Sequence, residues 1–209
     1  MKNVVVIEHP LVQHKLSVMR KKSTSTSKSR TLMREVGMLL GYEATRNMKL
    51  CYHTIETPFE TMQAPMLEGK KTALISILRA GNGLLDGFLQ LLPTAKVGHV
   101  GLYRESHAHN VVEYYFKIPE DISSRNAIIL DPLLATGQSA VACLARLKPL
   151  QPQSVVFVCL LASPEGLRYF QNYYEDVTVY TGAIDRCLNA EQFILPGLGD
   201  AGDRLFGTQ

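Results

Sequence analysis

The sequence predicts an α/β fold in which a mostly parallel, twisted sheet is flanked by helices. Short, mainly apolar runs, typical of strands buried on both faces, recur at residues 72–78, 127–130 and 154–161. Each run is followed by a stretch whose apolar residues recur at helical spacing. Strands and helices that alternate in this way are typical of a parallel sheet with crossover helices. We expect one domain spanning residues 1–209.

The composition is that of a globular protein with a substantial core. Of the 209 residues, 46% are hydrophobic and 20% are charged, and the net charge of +3 is too small to indicate a nucleic-acid partner. The four cysteines lie far apart and form no C-x-x-C pair, so neither a zinc site nor a disulfide framework is predicted. No apolar run has the length of a signal peptide core or a membrane span, which predicts a cytoplasmic protein without a membrane partner.

The amino-terminal segment is predicted to form one strand and two helices. A β-branched run at residues 4–7 predicts the strand, and apolar residues at helical spacing predict a helix over residues 11–20. Residues 23–29 form a polar connector, and Ser29 is the predicted N-cap of a second helix over residues 30–46.

Two segments are predicted to leave the sheet. From residue 49 to residue 71 the hydrophobic pattern weakens, which predicts short strands and turns in an extension that embraces a neighbouring subunit. Residues 96–103 predict a further strand, and residues 104–118 contain two extended runs around a polar centre. We expect residues 104–118 to form a mobile lid hairpin with Arg104 at its base, because closure of a site expels water and strengthens its charge contacts.

The strand predicted over residues 72–78 ends in a basic turn. Arg79 is followed by Gly81 and Gly83, and a helix is predicted over residues 84–92. An arginine beside glycines offers a planar donor fork and accessible backbone N–H groups to an oxyanion. The alternative is an ordinary strand-end turn whose arginine extends into water.

The strand predicted over residues 127–130 ends in an acid, Asp131, followed by a turn of small residues and a helix over residues 140–148. This order directs backbone N–H groups at a phosphate and leaves the carboxylate within reach of sugar hydroxyls. The spacing matches neither a Walker A loop nor a dinucleotide fingerprint, and a simple N-cap by Ser139 is the alternative. Together with Arg79, the acidic strand end predicts a site for the two ends of a phosphoribosyl diphosphate.

The carboxyl-terminal part contains the most unusual composition of the chain. Residues 154–161 and 177–181 predict strands, with a helix between them that Ser163 caps. Residues 193–203 hold three glycines, a proline and two acids, which predicts neither helix nor strand. Apolar residues among these glycines favour an ordered loop whose backbone groups bind a small flat heterocycle. The alternative is a flexible tail.

These motifs resemble those of the type I phosphoribosyltransferases, and of the bacterial uracil phosphoribosyltransferase family in particular. The matching segments are residues 9–16, 42–45, 77–81, 103–104, 131–139, 162–166 and 196–208. The resemblance implies the type I phosphoribosyltransferase fold, with a carboxyl-terminal arm (residues 193–208) over the base site. It also implies transfer of ribose phosphate from 5-phospho-α-D-ribose 1-diphosphate to uracil, which yields UMP and diphosphate.

The resemblance also implies the residues of the site. The catalytic set would be Arg79, Arg104, Asp131 and Asp200. Phosphoribosyl diphosphate would bind these four residues together with Pro132, Leu133, Leu134, Ala135, Thr136, Gly137, Gln138 and Ser139. Uracil would bind Ile194, Gly199, Asp200 and Ala201.

Cofactors and partners follow from the same resemblance. Mg²⁺ would accompany the diphosphate, bound mainly through its oxygens and without direct protein ligands. GTP, which activates some bacterial relatives, is a candidate activator. The resemblance implies a homodimer or a homotetramer. No His or Cys occupies a motif position suited to a general base, so none is assigned.

Five positions depart from the family pattern. Gln138 replaces the second glycine of the usual turn and is unstrained only with a negative φ. Ser76 and Glu113 stand where proline is usual, Asn82 where an apolar residue is common, and Phe193 where tyrosine is usual. One alternative is therefore a catalytically impaired relative that senses phosphoribosyl diphosphate or uridine nucleotides. The others are a regulator of the same fold that binds RNA and a transferase that uses purines.

Overall fold

The computed structural model describes residues 3–69, 72–104 and 111–208. The helices are α1 (Pro10–Arg20), α2 (Thr26–Ala44), α3 (Gly81–Leu91), α4 (Gln138–Leu147), α5 (Pro164–Tyr173) and α6 (Ala201–Phe206). The strands are β1 (Val4–Val6), β2 (Leu50–Glu56), β3 (Thr61–Leu67), β4 (Ala73–Leu78), β5 (Lys96–Arg104), β6 (Val111–Lys117), β7 (Asn126–Leu130), β8 (Leu133–Leu134), β9 (Ser154–Ala162), β10 (Thr178–Ile184), β11 (Cys187–Leu188) and β12 (Ile194–Leu195).

The central sheet has the strand order β1-β10-β9-β7-β4-β5-β6, and β8 pairs with the end of β9. Neighbouring strands run parallel, apart from β5 and β6, which pair antiparallel. The three mainly apolar runs of the sequence form the central strands β4, β7 and β9. The predicted α/β class with a mostly parallel sheet is confirmed.

Helices cover both faces of the sheet, and alternate residues of each central strand supply the two cores. Leu74 and Ile128 pack with α1, α2 and α3, whereas Ile75 and Ile129 pack on the opposite face with α4 and α5. Helix residues buried in the two cores include Val12, Leu16, Val36, Leu84 and Phe88 on the first face and Leu144, Leu147, Leu167 and Phe170 on the second. Strands buried on both faces favour apolar residues at nearly every position, which explains these mainly apolar runs.

The second helix begins earlier than the sequence predicts. Its N-cap is Ser25, whose hydroxyl accepts a hydrogen bond from the Lys28 backbone N–H at 3.3 Å. The predicted cap, Ser29, lies inside α2 and is buried, so that prediction is wrong. Serine and threonine occupy most of residues 23–29, and the local sequence alone does not select one of them as the cap.

The two segments predicted to leave the sheet have different outcomes. Strands β2 and β3 pair antiparallel as a separate hairpin, which confirms the short strands predicted there. Its contact with a neighbouring subunit stays a prediction. Of the predicted lid over residues 104–118, β5 and β6 form the paired base, while residues 105–110 lie outside the described residues. Among the helices described, none combines the length and hydropathy needed to cross a membrane.

Candidate active site

The two strand ends predicted to bind the substrate lie next to each other. β4 and β7 are parallel neighbours with Ser76 opposite Leu130, so Arg79 and Asp131 follow their strands at the same edge of the sheet. The turn after β4 touches the end of β7, because a Cβ atom on Gly81 would lie 2.5 Å from the Leu130 carbonyl oxygen. The parallel sheet therefore places a basic and an acidic strand end side by side.

The base of the lid hairpin reaches the same edge from the other side of β4. Arg104 is the last residue of β5, and its side chain lies outside the described part of the chain. On β6, a carboxylate oxygen of Glu113 lies 3.1 Å from Nε of Arg146 in α4. The Arg146 guanidinium also lies 4.9 Å from the centre of the Phe116 ring. Glu113, one of the departures from the family pattern, thus ties β6 to α4.

The Asp131 loop joins β7 to α4. The Asp131 backbone N–H donates to the Val158 carbonyl at 3.2 Å, and Asp131 is half-buried. Helix α4 begins at Gln138, two residues before the predicted start at residue 140, and the N–H groups of its first turn have no acceptor within the helix. These donors are of the kind that binds phosphate. A small cleft at this loop is lined by Asp131, Leu133, Leu134, Ala135, Gly137, Ser139 and Ala140.

Gly137 is the residue on which this turn depends. Its φ is +81°, and a Cβ atom there would lie 2.8 Å from the Gly166 carbonyl oxygen. Gln138 is not among the positive-φ residues, so the left-handed position of the turn is occupied by glycine. The departure at Gln138 is therefore free of backbone strain.

Ser163 holds the Asp131 loop against α5. As predicted, it caps α5, with its hydroxyl accepting from the Gly166 N–H at 2.8 Å. The same hydroxyl donates to the Ala135 carbonyl at 2.6 Å, and the Ser163 N–H donates to the Leu134 carbonyl at 3.0 Å. This second role was missed from the sequence, because the partner lies 28 residues earlier in the chain and no local pattern marks it.

Arg79 contacts the carboxyl-terminal arm. Its guanidinium lies 3.8 Å from a carboxylate oxygen of Asp203, 3.4 Å from the Thr208 hydroxyl and 5.6 Å from the centre of the Phe206 ring. The Arg79 side chain is 55% exposed, so it remains open to a ligand while it touches the arm. The Leu78–Arg79 peptide bond is cis.

The arm has more regular structure than the sequence predicts. β12 pairs antiparallel with β11, and residues 201–206 form α6, so the prediction of neither helix nor strand is wrong for these residues. Asp200 caps α6, with its carboxylate accepting from the Asp203 N–H at 2.9 Å. Ile194, Ala201 and Leu205 are buried in the core beside α2 and α3, and this burial stabilises the short helix. The exposed residues Gly199 and Asp200 lie between them.

Two arginines fix the glycine-rich turn of the arm. Arg20 makes a bidentate ion pair with Asp185 at 2.7 and 2.6 Å and donates to the Gly197 carbonyl at 2.8 Å. The Gly197 N–H in turn donates to Asp185 at 2.8 Å. Arg204 donates to the Leu198 carbonyl at 2.9 Å and to the Lys21 carbonyl at 2.8 Å. Arg20 and Asp185 lie 165 residues apart, and sequence reasoning did not find them.

An open cavity of about 720 Å³ borders this turn. Residues from the end of α1, the start of α2 and the arm line it: Arg20, Lys22, Thr24, Ser25, Thr26, Pro196, Leu198, Gly199, Asp200, Asp203, Arg204 and Gly207. Of the four predicted uracil-binding residues, Gly199 and Asp200 line the cavity, while the side chains of Ile194 and Ala201 are buried. Phe193, at the start of the arm, is partly exposed.

The buried thiols of Cys143 and Cys159 are unsuited to chemistry at this site. Burial raises the pKa of the Cys143 and Cys159 thiols, that of Cys159 to about 12, and the negative charge of Asp131 adds to both shifts. Both thiols therefore stay protonated near neutral pH. Within residues 3–69, 72–104 and 111–208, no group of three or more His, Cys, Asp or Glu side chains is placed to hold a metal ion.

Comparison with known proteins decides the family. The model of the uracil phosphoribosyltransferase family matches residues 6–208. A uracil phosphoribosyltransferase of Legionella pneumophila strain Philadelphia 1 is 59% identical over 206 residues, which cover 99% of this chain and 96% of that protein. One of Variovorax paradoxus is 56% identical over the full length of both chains. The chain belongs to the uracil phosphoribosyltransferase family.

Membership of the uracil phosphoribosyltransferase family makes this chain a pentosyltransferase and confirms the resemblance found in the sequence. A solved structure of an Aquifex aeolicus protein is 35% identical, covers 99% of both chains and has a TM-score of 0.94. A Bacillus anthracis hypoxanthine-guanine phosphoribosyltransferase, 14% identical with a TM-score of 0.52, covers 77% of this chain and 80% of its own. That likeness shows the phosphoribosyltransferase fold alone.

Proposed function

We propose that this chain transfers the phosphoribosyl group of 5-phospho-α-D-ribose 1-diphosphate to uracil, with UMP and diphosphate as products. The observation that carries the proposal is the contact of Arg79 with the carboxyl-terminal arm, at 3.4 Å from Thr208 and 3.8 Å from Asp203. It joins the strand end suited to a diphosphate to the segment suited to a flat base. The uracil phosphoribosyltransferases at 56–59% identity support the same substrates.

The reaction is a substitution at the anomeric carbon. Uracil N1 forms the new bond to C1 while the bond from C1 to the diphosphate oxygen breaks, and the N1 proton passes to solvent, since no side chain is assigned to accept it. The leaving diphosphate carries the electron pair, and Arg79 and Arg104 stabilise its charge. The enzyme's main contribution is to position two bound substrates and to stabilise charge.

The Asp131 loop is proposed to hold the ribose phosphate. Asp131 would accept hydrogen bonds from the ribose hydroxyls, as a half-buried carboxylate at the end of β7. Backbone N–H groups of residues 136–139, at the start of α4, would bind the 5′-phosphate. The loop residues Leu133, Leu134 and Ala135 line this cleft, the Pro132 carbonyl accepts from the Leu160 and Leu161 N–H groups, and Ser163 keeps the loop in place.

The arm is proposed to select the base. Backbone N–H and C=O groups of Ile194, Gly199 and Ala201 can match the donors and acceptors on the edge of uracil. Asp200 lies between Gly199 and Ala201, and its carboxylate is fixed at the start of α6, from which it can reach the phosphoribosyl substrate. The arm that would bind the pyrimidine is therefore held in one conformation by its hydrogen bonds and by its buried residues.

Mg²⁺ is proposed to accompany the diphosphate. It prefers oxygen ligands and keeps several waters, so the oxygens of the diphosphate would be its main ligands, without direct protein ligands. When bound, it neutralises charge on the diphosphate. GTP is proposed as an activator, as the resemblance to the bacterial family implies. A cytoplasmic location is part of the same proposal.

A homodimer is proposed from the surface of the β2–β3 hairpin. Its exposed apolar residues are Leu50, Tyr52, Phe59, Met62, Met66 and Leu67, and Phe59 is 96% exposed. Apolar groups gathered on one projecting hairpin are typical of a protein interface. A second copy of this chain is the partner that the proposal assigns to it, in a dimer or a tetramer built from dimers.

The test is UMP formation from labelled uracil and phosphoribosyl diphosphate with Mg²⁺, with and without GTP. Asp200→Asn keeps an N-cap for α6 but removes the charge, and we expect it to lower turnover about 100-fold. Asp86→Asn, at an exposed carboxylate of α3, is the matched control and should leave turnover unchanged. Folded protein that binds phosphoribosyl diphosphate without turnover would replace the proposal with a sensor, and salt-sensitive RNA binding would indicate a regulator.

A further inference from the structure

Two of the positions that depart from the family pattern contact each other. Ser76, near the end of β4, donates its hydroxyl hydrogen to Oδ1 of Asn82, in the first turn of α3, at 2.9 Å. Ser76 is fully buried and Asn82 is partly buried. Arg79 lies midway between them, so the hydrogen bond closes the turn that carries Arg79.

The Ser76 hydroxyl lies where the two substrate loops meet. A Cβ atom on Gly81 would lie 2.7 Å from the Ser76 Oγ and 2.5 Å from the carbonyl oxygen of Leu130. Leu130 is the residue that precedes Asp131. Ser76 and Leu130 are also opposite each other in the pairing of β4 with β7. A shift of the hydroxyl would therefore move the Arg79 turn and the start of the Asp131 loop together.

Asn82 is bound to the turn at two points. Its side chain accepts from Ser76, and its backbone N–H donates to the Arg79 carbonyl at 3.3 Å. The residue before α3, Ala80, makes no side-chain cap, so Asn82 is the polar side chain that closes the start of this helix onto its strand. The Arg79 side chain is largely exposed, and among the described residues it contacts Thr208 at 3.4 Å, Asp203 at 3.8 Å and the Phe206 ring at 5.6 Å. The turn that carries the Arg79 backbone therefore helps to determine where the guanidinium lies.

We propose that Ser76 and Asn82 are positioning residues, which act as a coupled pair to hold the Arg79 turn in the geometry that binds the diphosphate. The inference rests on the proposed function, since it concerns the same substrate. Ser76 supplies the donor of this hydrogen bond and Asn82 supplies the acceptor. Loss of either partner leaves a polar group at the junction unsatisfied.

The test compares Ser76→Ala, Asn82→Ala and the double variant in steady-state kinetics, with both KM values, kcat and thermal unfolding measured. Each single change is expected to raise KM for phosphoribosyl diphosphate about 10-fold, with KM for uracil changed less than about twofold. Because the two residues act through one hydrogen bond, the double variant should be no worse than either single variant. Ser154→Ala is the matched control, because Ser154 makes the same hydroxyl-to-Asn bond with Asn126 at 2.8 Å, at the far end of β7.

The outcomes separate positioning from a merely structural role. Lower melting temperatures with unchanged KM for phosphoribosyl diphosphate would overturn the proposal, and so would equal effects on both substrates or additive single effects. If the wild-type chain makes no UMP, the proposed function is wrong, but this result does not decide the role of Ser76 and Asn82. Calorimetric binding of phosphoribosyl diphosphate then still tests the pair, and unaltered affinity in Ser76→Ala would overturn it.

Discussion

The carboxyl-terminal arm and the β2–β3 hairpin both leave the central sheet, but they relate to the rest of the chain in opposite ways. The arm buries Ile194, Leu198 and Leu205 in the core. The hairpin exposes its large apolar residues, with Tyr52 at 70% and Phe59 at 96%. The same kind of side chain is thus used for internal packing in one segment and left at the surface in the other.

The polar contacts of the two segments show the same contrast: those of the arm reach other parts of the chain, and, among the described residues, those of the hairpin stay within it. Arg20, Asp185 and Arg204 bind the arm to distant parts of the chain, whereas hairpin bonds such as Gln63 to Thr54, at 2.7 Å, join its own two strands. A segment that recognises a small ligand has to be held by its own chain, because its atoms must be in place before binding. A segment that binds another copy can leave its apolar surface unpaired until assembly.

The largest effect is expected from removal of the charge that ties the arm to α1. Arg20→Met leaves Asp185 buried without its ion-pair partner, since Asp185 is 7% exposed. We expect a loss of about 3–5 kcal/mol in the free energy of unfolding and a rise in KM for uracil. Denaturant unfolding and steady-state kinetics measure both.

The matched control for Arg20 lies on the same helix. Lys15 pairs with Glu35 in a partly exposed ion pair, so Lys15→Met should cost less than about 1 kcal/mol and leave KM for uracil unchanged. Equal effects of the two substitutions would show that the Asp185 pair has no special role in holding the arm.

Two glycines with positive φ give the second comparison. Gly197 in the arm has φ +57° and a Cβ atom there would lie 2.0 Å from the Ile194 carbonyl oxygen, whereas Gly69, just after the hairpin, has φ +70° and open space around it. Gly197→Ala combines strain with a collision and should cost roughly 2–3 kcal/mol and most of the UMP formation. Gly69→Ala should cost about 1–2 kcal/mol through strain and leave turnover intact. Loss of turnover in Gly69→Ala with Gly197→Ala active would reverse the assignment of the two segments.

The hairpin prediction concerns assembly. Phe59→Ser should weaken self-association at least about 10-fold, because exposed aromatic residues at an interface centre contribute about 2 kcal/mol or more. Analytical ultracentrifugation over a range of concentrations measures it. Tyr173→Ser, at a 60% exposed aromatic outside the hairpin, is the control and should not alter the mass distribution. A monomeric wild-type protein would remove the basis of the proposal.

Cysteine reactivity gives the smallest effect and reports on both segments. Cys51 lies in the hairpin and Cys187 pairs with the base of the arm, both partly exposed, while Cys143 and Cys159 are buried. At pH 8 we expect maleimide to label Cys51 faster on dilution of the protein, with no such dependence at Cys187. Burial raises the pKa of Cys159 to about 12, so it should react only after unfolding, as should Cys143. A rate of Cys51 labelling that does not change with protein concentration would argue against an interface at the hairpin.

Much of the fold could be predicted because strands buried on both faces leave a signal in the sequence. Short apolar runs between turn residues, such as residues 127–130, favour buried strands, and the ends of β4 and β7 place Arg79 and Asp131 at one edge of the sheet. The short helix α6 was missed because Gly202 disfavours helix locally, while burial of Ala201 and Leu205, which the local sequence does not reveal, stabilises it.

The contacts that support the site could not be predicted from the sequence, for a different reason. Asp185 and Ser163 bind partners that are distant in the chain, and nothing in their neighbourhoods specifies those partners. Ser76 and Asn82 could be recognised only as departures from a pattern, because their contact depends on how the turn between them folds. Strand ends can therefore be predicted from a sequence, while the residues that position them require the structure.

Hydrogen–deuterium exchange with and without saturating UMP tests most directly whether the arm and the Asp131 loop form one nucleotide site. We expect slower exchange in peptides covering residues 133–139 and 194–206, because both segments would contact the bound nucleotide. Peptides from residues 50–67 should be unaffected. Unchanged exchange in the arm while UMP is bound would contradict this account.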